Sequence, residues 1–146
     1  MAADFALYGG LFLNAFVAAT LLPAFSELSF AGLLAAGTGN ALFLFLSVTA
    51  GNILGAIVNF WLGWHLAKYQ SKGWFPFSAK QIETGALHFS RYGKWSLLFA
   101  WLPIVGDPLT LAAGLLRTDF RFFLMLVAVG KAARYVVIWA TVTIFI

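Results

Sequence analysis

Four ionisable residues stand in otherwise apolar sequence: Glu27, Asp107, Lys131 and Arg134. A carboxylate withdrawn from bulk water is a site for proton exchange, and a guanidinium or ammonium beside it attracts an anion. Two acids and two bases form a neutral set, so the simplest arrangement brings each acid near the basic residues. One version is purely structural, with ion pairs that hold helices together. The other is a polar pocket in which Glu27 and Asp107 are proton and transport sites while Lys131 and Arg134 bind an anion or pair with the acids. Ser26, Asn52, Asn59 and Thr110 would add hydroxyls and amides to its lining.

Other chemistries find little support. The chain has no cysteine, which removes disulfides and thiolate-based metal or redox sites. His65 and His88 lie near the polar connector, where a histidine needs no special role. There is no phosphate loop, no metal-ligand spacing and no nucleophile beside an oriented base. We therefore expect no enzyme activity, no metal and no cofactor. The net charge of +4 is not massed in a basic patch, so nucleic acid is not an expected partner.

The elements that must carry these charges are membrane helices. Of 146 residues, 62% are hydrophobic and 10% charged, with a mean hydropathy of +0.92; soluble domains carry about 25% charged residues. Lipid is the solvent this composition suits, and membrane lipids are the expected partners. Asp4 precedes the first apolar run and no basic region leads it, so the run reads as retained rather than as a secretory signal.

Residues 5–22 form that run, about 27 Å long as a helix and just short of the usual spanning length. Pro23 ends it. Residues 24–39 are broken by Ser26, Glu27, Ser29, Gly32, Gly37 and Gly39, and suit the returning arm of a re-entrant hairpin. Residues 41–67 predict a transmembrane helix. Gly51 and Gly55 share one of its faces and offer a close-packing surface, a candidate for homodimerisation. Residues 68–94 are the long polar stretch, an amphipathic connector with a Ser78/Gln81 capping box opening a short helix from Ala79 to about Ser90. A second broken hairpin follows, with Pro103, Gly106 and Pro108 as its breaks and residues 109–116 as its returning arm. Residues 120–146 predict the last spanning helix. Lys131 lies about 18 Å into it, near mid-bilayer.

This order repeats itself. Leu22-Pro23 with Glu27 and Ala31-Gly32-Leu33-Leu34 is echoed by Leu102-Pro103 with Asp107 and Ala113-Gly114-Leu115-Leu116. Gly51-Asn52 and Gly130-Lys131 then fall at nearly the same distance beyond their prolines. We read an all-α polytopic membrane protein of one integral domain. Repeat one covers about 5–67, the connector about 68–94 and repeat two about 95–146, the two repeats inverted and each a broken hairpin followed by a spanning helix. Lys68, Lys72, Lys80, Arg91 and Lys94 on the connector put it in the cytoplasm by the positive-inside rule, with both termini outside.

Pro23-Ala-Phe-Ser-Glu27, Ala31-Gly32, Gly51, Gly55 and Gly63, Arg91-Tyr-Gly-Lys94, Pro103 and Ala113-Gly114 resemble the DedA superfamily, also called SNARE-associated Golgi or VTT-domain proteins. Trp101-Leu-Pro-Ile-Val-Gly-Asp107 and Gly130-Lys-Ala-Ala-Arg-Tyr135 are similar to its small YqaA-like bacterial branch, and the resemblance covers about residues 10–140. It implies two facing re-entrant hairpins, residence in a bacterial inner membrane, and a function as proton-dependent transporter, lipid-phosphate flippase or phospholipid scramblase. It also implies a functional acid at Glu27. The larger branch has a second acid where this chain has Ala56, and two arginines where it has Ala100 and Gly106. Lys131 and Arg134 are the residues able to replace that positive charge.

The expected function is a membrane transporter or lipid flippase, proton-coupled, for an anionic lipid or small anionic solute. Two alternatives remain open: an ATP-independent phospholipid scramblase, and a structural or assembly membrane protein whose buried ion pairs transport nothing.

Overall fold

The computed structural model describes residues 1–20, 25–66, 80, 84, 87, 91, 95, 97, 98, 106–116 and 118–146. The elements among them are helices: α1 (Ala2–Thr20), α2 (Phe25–Ala35), α3 (Ala41–Leu66), α4 (Gly106–Leu115) and α5 (Phe120–Phe145). By length and composition α1, α3 and α5 can cross a membrane, and the chain is an all-α polytopic membrane protein. At 1.5 Å per residue α2 and α4 are only about 15–17 Å long, roughly half the hydrocarbon thickness. Many large apolar side chains are left outside the packing, among them Phe5, Leu13, Val137 and Phe145, as expected where the outer solvent is lipid.

The ends of these helices explain where sequence reading and structure differ. α1 begins at Ala2, ahead of the expected apolar run, and takes in Asp4, which suits the positive end of the helix dipole and pairs with the terminal amine at 2.9 Å. α2 forms in a stretch that reads as broken. Its polar residues find partners without leaving the helix: Ser29 Oγ donates to the Phe25 carbonyl at 2.9 Å. α2 then stops in a Schellman turn, with Thr38 N bonded to Leu33 O and Gly37 N to Leu34 O. Gly37 sits there at φ +63°, a conformation that favours glycine. Asn40 caps α3, its Oδ1 accepting from Leu42 N and Phe43 N, while Tyr8 Oη accepts from Asn40 N. Asp119 caps α5 in the same way through Phe122 N.

The chain divides into two compact units. The first comprises Met1–Gly55 and Lys131–Ile146. Its core joins Leu11 and Ala15 of α1, Phe30 of α2, Leu44 and Val48 of α3, and Tyr135 of α5. Lipid offers no hydrophobic drive between helices, so close van der Waals packing must hold them. Gly51 and Gly55 supply it. A Cβ on Gly55 would stand 2.8 Å from the Phe16 carbonyl, and one on Gly51 would run into the Phe12 carbonyl. This corrects the expected homodimer face: α1 of the same chain occupies the Gly51/Gly55 surface.

The second unit is Ala56–Gly130. Phe60 of α3, Leu109 and Ala113 of α4, and Phe123, Leu126 and Val127 of α5 form its core. α4 is almost wholly enclosed. Gly63 and Gly114 let two backbones meet, since a Cβ on Gly63 would strike Leu111 O and one on Gly114 would strike Phe60 O. Of the connector, Lys80, Thr84, Leu87 and Arg91 are described; all four are helical and exposed. Pro23, Pro103, His88 and most of the span 68–94 lie outside the described residues.

Candidate functional site

Glu27 sits in the first turn of α2 and Arg134 in the middle of α5, and the two form an ion pair through Glu27 Oε1 and Arg134 Nη2. The side chains are 25% and 13% exposed, so the pair is shielded but not sealed. A pair shielded in this way is less screened than one on an open surface.

Beside it runs a chain of hydrogen bonds. Ser26 precedes Glu27, and Tyr135 follows Arg134. Ser26 Oγ and Tyr135 Oη are 2.9 Å apart. Tyr135 Oη also accepts from Asn52 Nδ2 at 2.9 Å. Asn52 Oδ1 in turn accepts from Lys131 Nζ. Ser26, Asn52, Tyr135 and Lys131 are all buried. The helix period explains the grouping: Lys131, Arg134 and Tyr135 are three and four residues apart and share one face of α5. Phe30, four residues beyond Ser26, meets the Tyr135 ring edge-on at 5.6 Å between centroids, which fixes the ring so that its hydroxyl reaches both neighbours.

Tyr135 is the residue that reading from charge and amide positions overlooks. It is fully buried, and its hydroxyl joins the start of α2 to the middle of α3. Its signal was present in the spacing, a tyrosine one turn after a mid-membrane lysine, because a buried phenol needs a partner.

The other expected residues fall in the second unit. Asn59 Nδ2 donates to Thr110 Oγ1 at 3.4 Å, a long contact, and Thr110 Oγ1 donates to the Asp107 carbonyl at 2.7 Å. Asp107 itself stands in the first turn of α4, partly buried, followed by Pro108, which suits that turn because it needs no backbone donor. Gly106 opens the same helix. No group of three or more potential metal ligands occurs among the described residues. The arrangement can hold positive charge in a low-dielectric setting, keep one carboxylate against it, and pass polarisation along a chain of four side chains.

A family model described as the VTT domain matches residues 22–143. The chain is 37% identical over 130 residues to the inner membrane protein YqaA of Escherichia coli K12, an alignment covering 89% of this chain and 87% of that protein. The YqaA of Shigella flexneri matches to the same extent. An uncharacterized protein of Haemophilus influenzae is 35% identical over 133 residues, covering 86% of this chain and 81% of its own length. No solved structure matches the chain. With its three apolar spans, its family match and these relatives, the chain is a multi-pass inner-membrane protein that belongs to the VTT-domain family.

Proposed function

We propose that this protein is a proton-coupled carrier for an anionic lipid or small anionic solute, and that the Glu27–Arg134 pair is its exchange point. The observation that carries this reading is the pair itself, partly exposed and flanked by buried Lys131. A proton arriving at Glu27 cancels the carboxylate and leaves Arg134 free to hold an anion. An anion arriving at Arg134 displaces Glu27, which then gains by taking a proton. Each ligand thus favours the other, the reciprocity that thermodynamic coupling requires. Lys131 adds a second positive charge on the same helix face, and Tyr135 and Ser26 keep the start of α2 aligned with it. Asp107, with Asn59 and Thr110, is the corresponding acid of the second repeat in this reading.

The two-repeat architecture belongs to the same proposal. Asn52 and Lys131 hold matching places after Gly51 and Gly130, and they bond to one another, as residues near a two-fold axis do. Each short helix also contacts the long helix of the other repeat: α2 meets α5 through Phe30 and Tyr135, and α4 meets α3 through Thr110 and Asn59. Short helices of half-membrane length fit re-entrant arms. The reading keeps the connector cytoplasmic and both termini outside.

Proton uptake on anion binding tests the coupling. Phosphate or an alkyl phosphate added to purified protein in weakly buffered detergent should draw about one proton per chain from solution by linkage. Glu27→Gln should bind the anion without proton uptake, and Arg134→Gln should bind it poorly. Equal uptake in wild type and Glu27→Gln would remove Glu27 from the mechanism.

A further inference from the structure

Basic charge in this chain is sorted along the sequence. None of its nine lysines and arginines precedes residue 68, and only Lys131 and Arg134, both inside α5, follow Arg121. The acids between 68 and 121 are Glu83, Asp107 and Asp119, so the stretch is strongly positive. Among the described residues, the ends where α1 and α3 begin and α2 and α5 finish carry no lysine or arginine, while Lys80, Arg91 and Arg121 of the second unit are exposed.

Lys80 and Arg91 belong to a mixed stripe. Lys80, Thr84, Leu87, Arg91, Trp95 and Leu98 follow one another at steps of three and four, the spacing of one helix face, and all six are exposed. Thr84 turns its hydroxyl back to the Lys80 carbonyl at 2.8 Å, which takes its hydrogen away from the surroundings. A stripe that faced only water would not need two leucines and a tryptophan, and one that faced hydrocarbon would not carry cations. Apolar, indole and long basic side chains together suit the headgroup layer.

The depth agrees. The Trp95 ring meets Phe122 edge-on at 5.3 Å between centroids, three residues past the Asp119 cap that opens α5. Trp61, near the end of α3, is 5.6 Å from Phe120 in the same measure. The stripe therefore reaches the level at which one spanning helix ends and another begins, where tryptophans anchor. Leu97, between exposed Trp95 and Leu98, is buried in the core with Leu109 and Phe123, so this surface is tied to the packing of the second unit.

We propose that the stripe, with Arg121 beside Phe122, is a binding surface for anionic phospholipid headgroups, which Lys80, Arg91 and Arg121 gather in preference to neutral lipid. Charge selects this occupant. A zwitterionic headgroup has no net attraction for three cations, whereas each basic side chain at an anionic surface favours it by about fivefold. Asp119, two residues before Arg121, is engaged as the α5 cap through Oδ1. The inference does not rest on the transport reading, which uses the Glu27–Arg134 pair of the first unit.

The absence of cysteine gives a clean test. Full-length Leu87→Cys carries a fluorophore in vesicles of equal phosphatidylglycerol and phosphatidylcholine, with a nitroxide quencher on one lipid or the other. Quenching from phosphatidylglycerol should be stronger by about twofold or more. Lys80→Gln, Arg91→Gln and Arg121→Gln combined should make the two lipids equal. So should about 1 M salt, which screens charge beyond about 3 Å and needs no substitution. A label at Phe5→Cys, exposed at the start of α1, should show no preference. The three basic side chains are exposed, so the combined variant should melt as its parent does; should it misfold, the salt arm decides alone. Equal quenching by the two lipids at Leu87→Cys in low salt would overturn the proposal. A preference that survives salt, or one equally strong at Phe5→Cys, would do the same. A Leu87→Cys label that neither lipid quenches would also overturn it, since the stripe would then face water or an aqueous partner.

Discussion

Lys131 and Asn52 follow glycines that hold matching places in the chain, Gly130 and Gly51, and their side chains meet in a hydrogen bond inside the protein. Lys131 is 1% exposed and Asn52 4%. The ammonium of one long helix is therefore held by the amide of another, and the amide's nitrogen continues the chain to Tyr135. A polar chain of this kind fixes register between apolar helices, which have few other means to specify it.

Asn52→Leu should therefore be costly, because it removes an acceptor from a buried ammonium and a donor from a buried phenol. We expect a loss of about 2–4 kcal/mol. Combining it with Lys131→Leu replaces the pair by apolar groups and should recover much of that loss. Thermal unfolding in detergent, read as a double-mutant cycle, checks this. Strictly additive losses would mean that the two residues are not coupled.

Tyr135→Phe keeps the ring packed edge-on against Phe30 and deletes only the hydroxyl. The expected cost is about 1–2 kcal/mol, and Ser26→Ala added to it should cost little more, since both substitutions break the same bond. The same melting measurement on the two single variants and the double variant decides the point.

The glycines separate into two classes. Gly114→Ala and Gly63→Ala push a methyl group into the backbones of Phe60 and Leu111 and should cost about 3 kcal/mol or more, or prevent accumulation in the membrane. Gly32→Ala meets nothing within 4 Å and, lying in a helix, should be neutral or stabilising by up to about 1 kcal/mol. Membrane yield and melting temperature of the three variants test the contrast.

Much of this was legible in the sequence. The boundaries of α3 and α5 follow from long apolar runs and lie within a residue of expectation, while the caps Asn40 and Asp119 come from the structure. α2 was harder to read, because Ser26, Glu27, Ser29 and Gly32 interrupt its hydropathy; only the structure shows that Ser26 finds Tyr135 and that Ser29 bonds back along its own helix. The four charged residues stand out because charge in apolar sequence always does. Their pairing does not, since nothing in spacing tells whether Glu27 meets Lys131 or Arg134. The use of Gly51 and Gly55 was ambiguous for a related reason. A glycine face announces close approach of some helix, and whether that helix belongs to the same chain depends on tertiary packing.

The most direct measurement is flux in sealed proteoliposomes, using a fluorescent phospholipid and a polyprenyl phosphate, with and without a proton gradient. Wild type should move an anionic substrate faster when the gradient is imposed. Glu27→Gln should lose the response to the gradient, and Arg134→Gln should lose flux altogether, each in protein that melts as a folded species. Folded Glu27→Gln and Arg134→Gln variants that carry substrate at the wild-type rate, with the same response to the gradient, would contradict the account and leave the Glu27–Arg134 pair as a structural bridge.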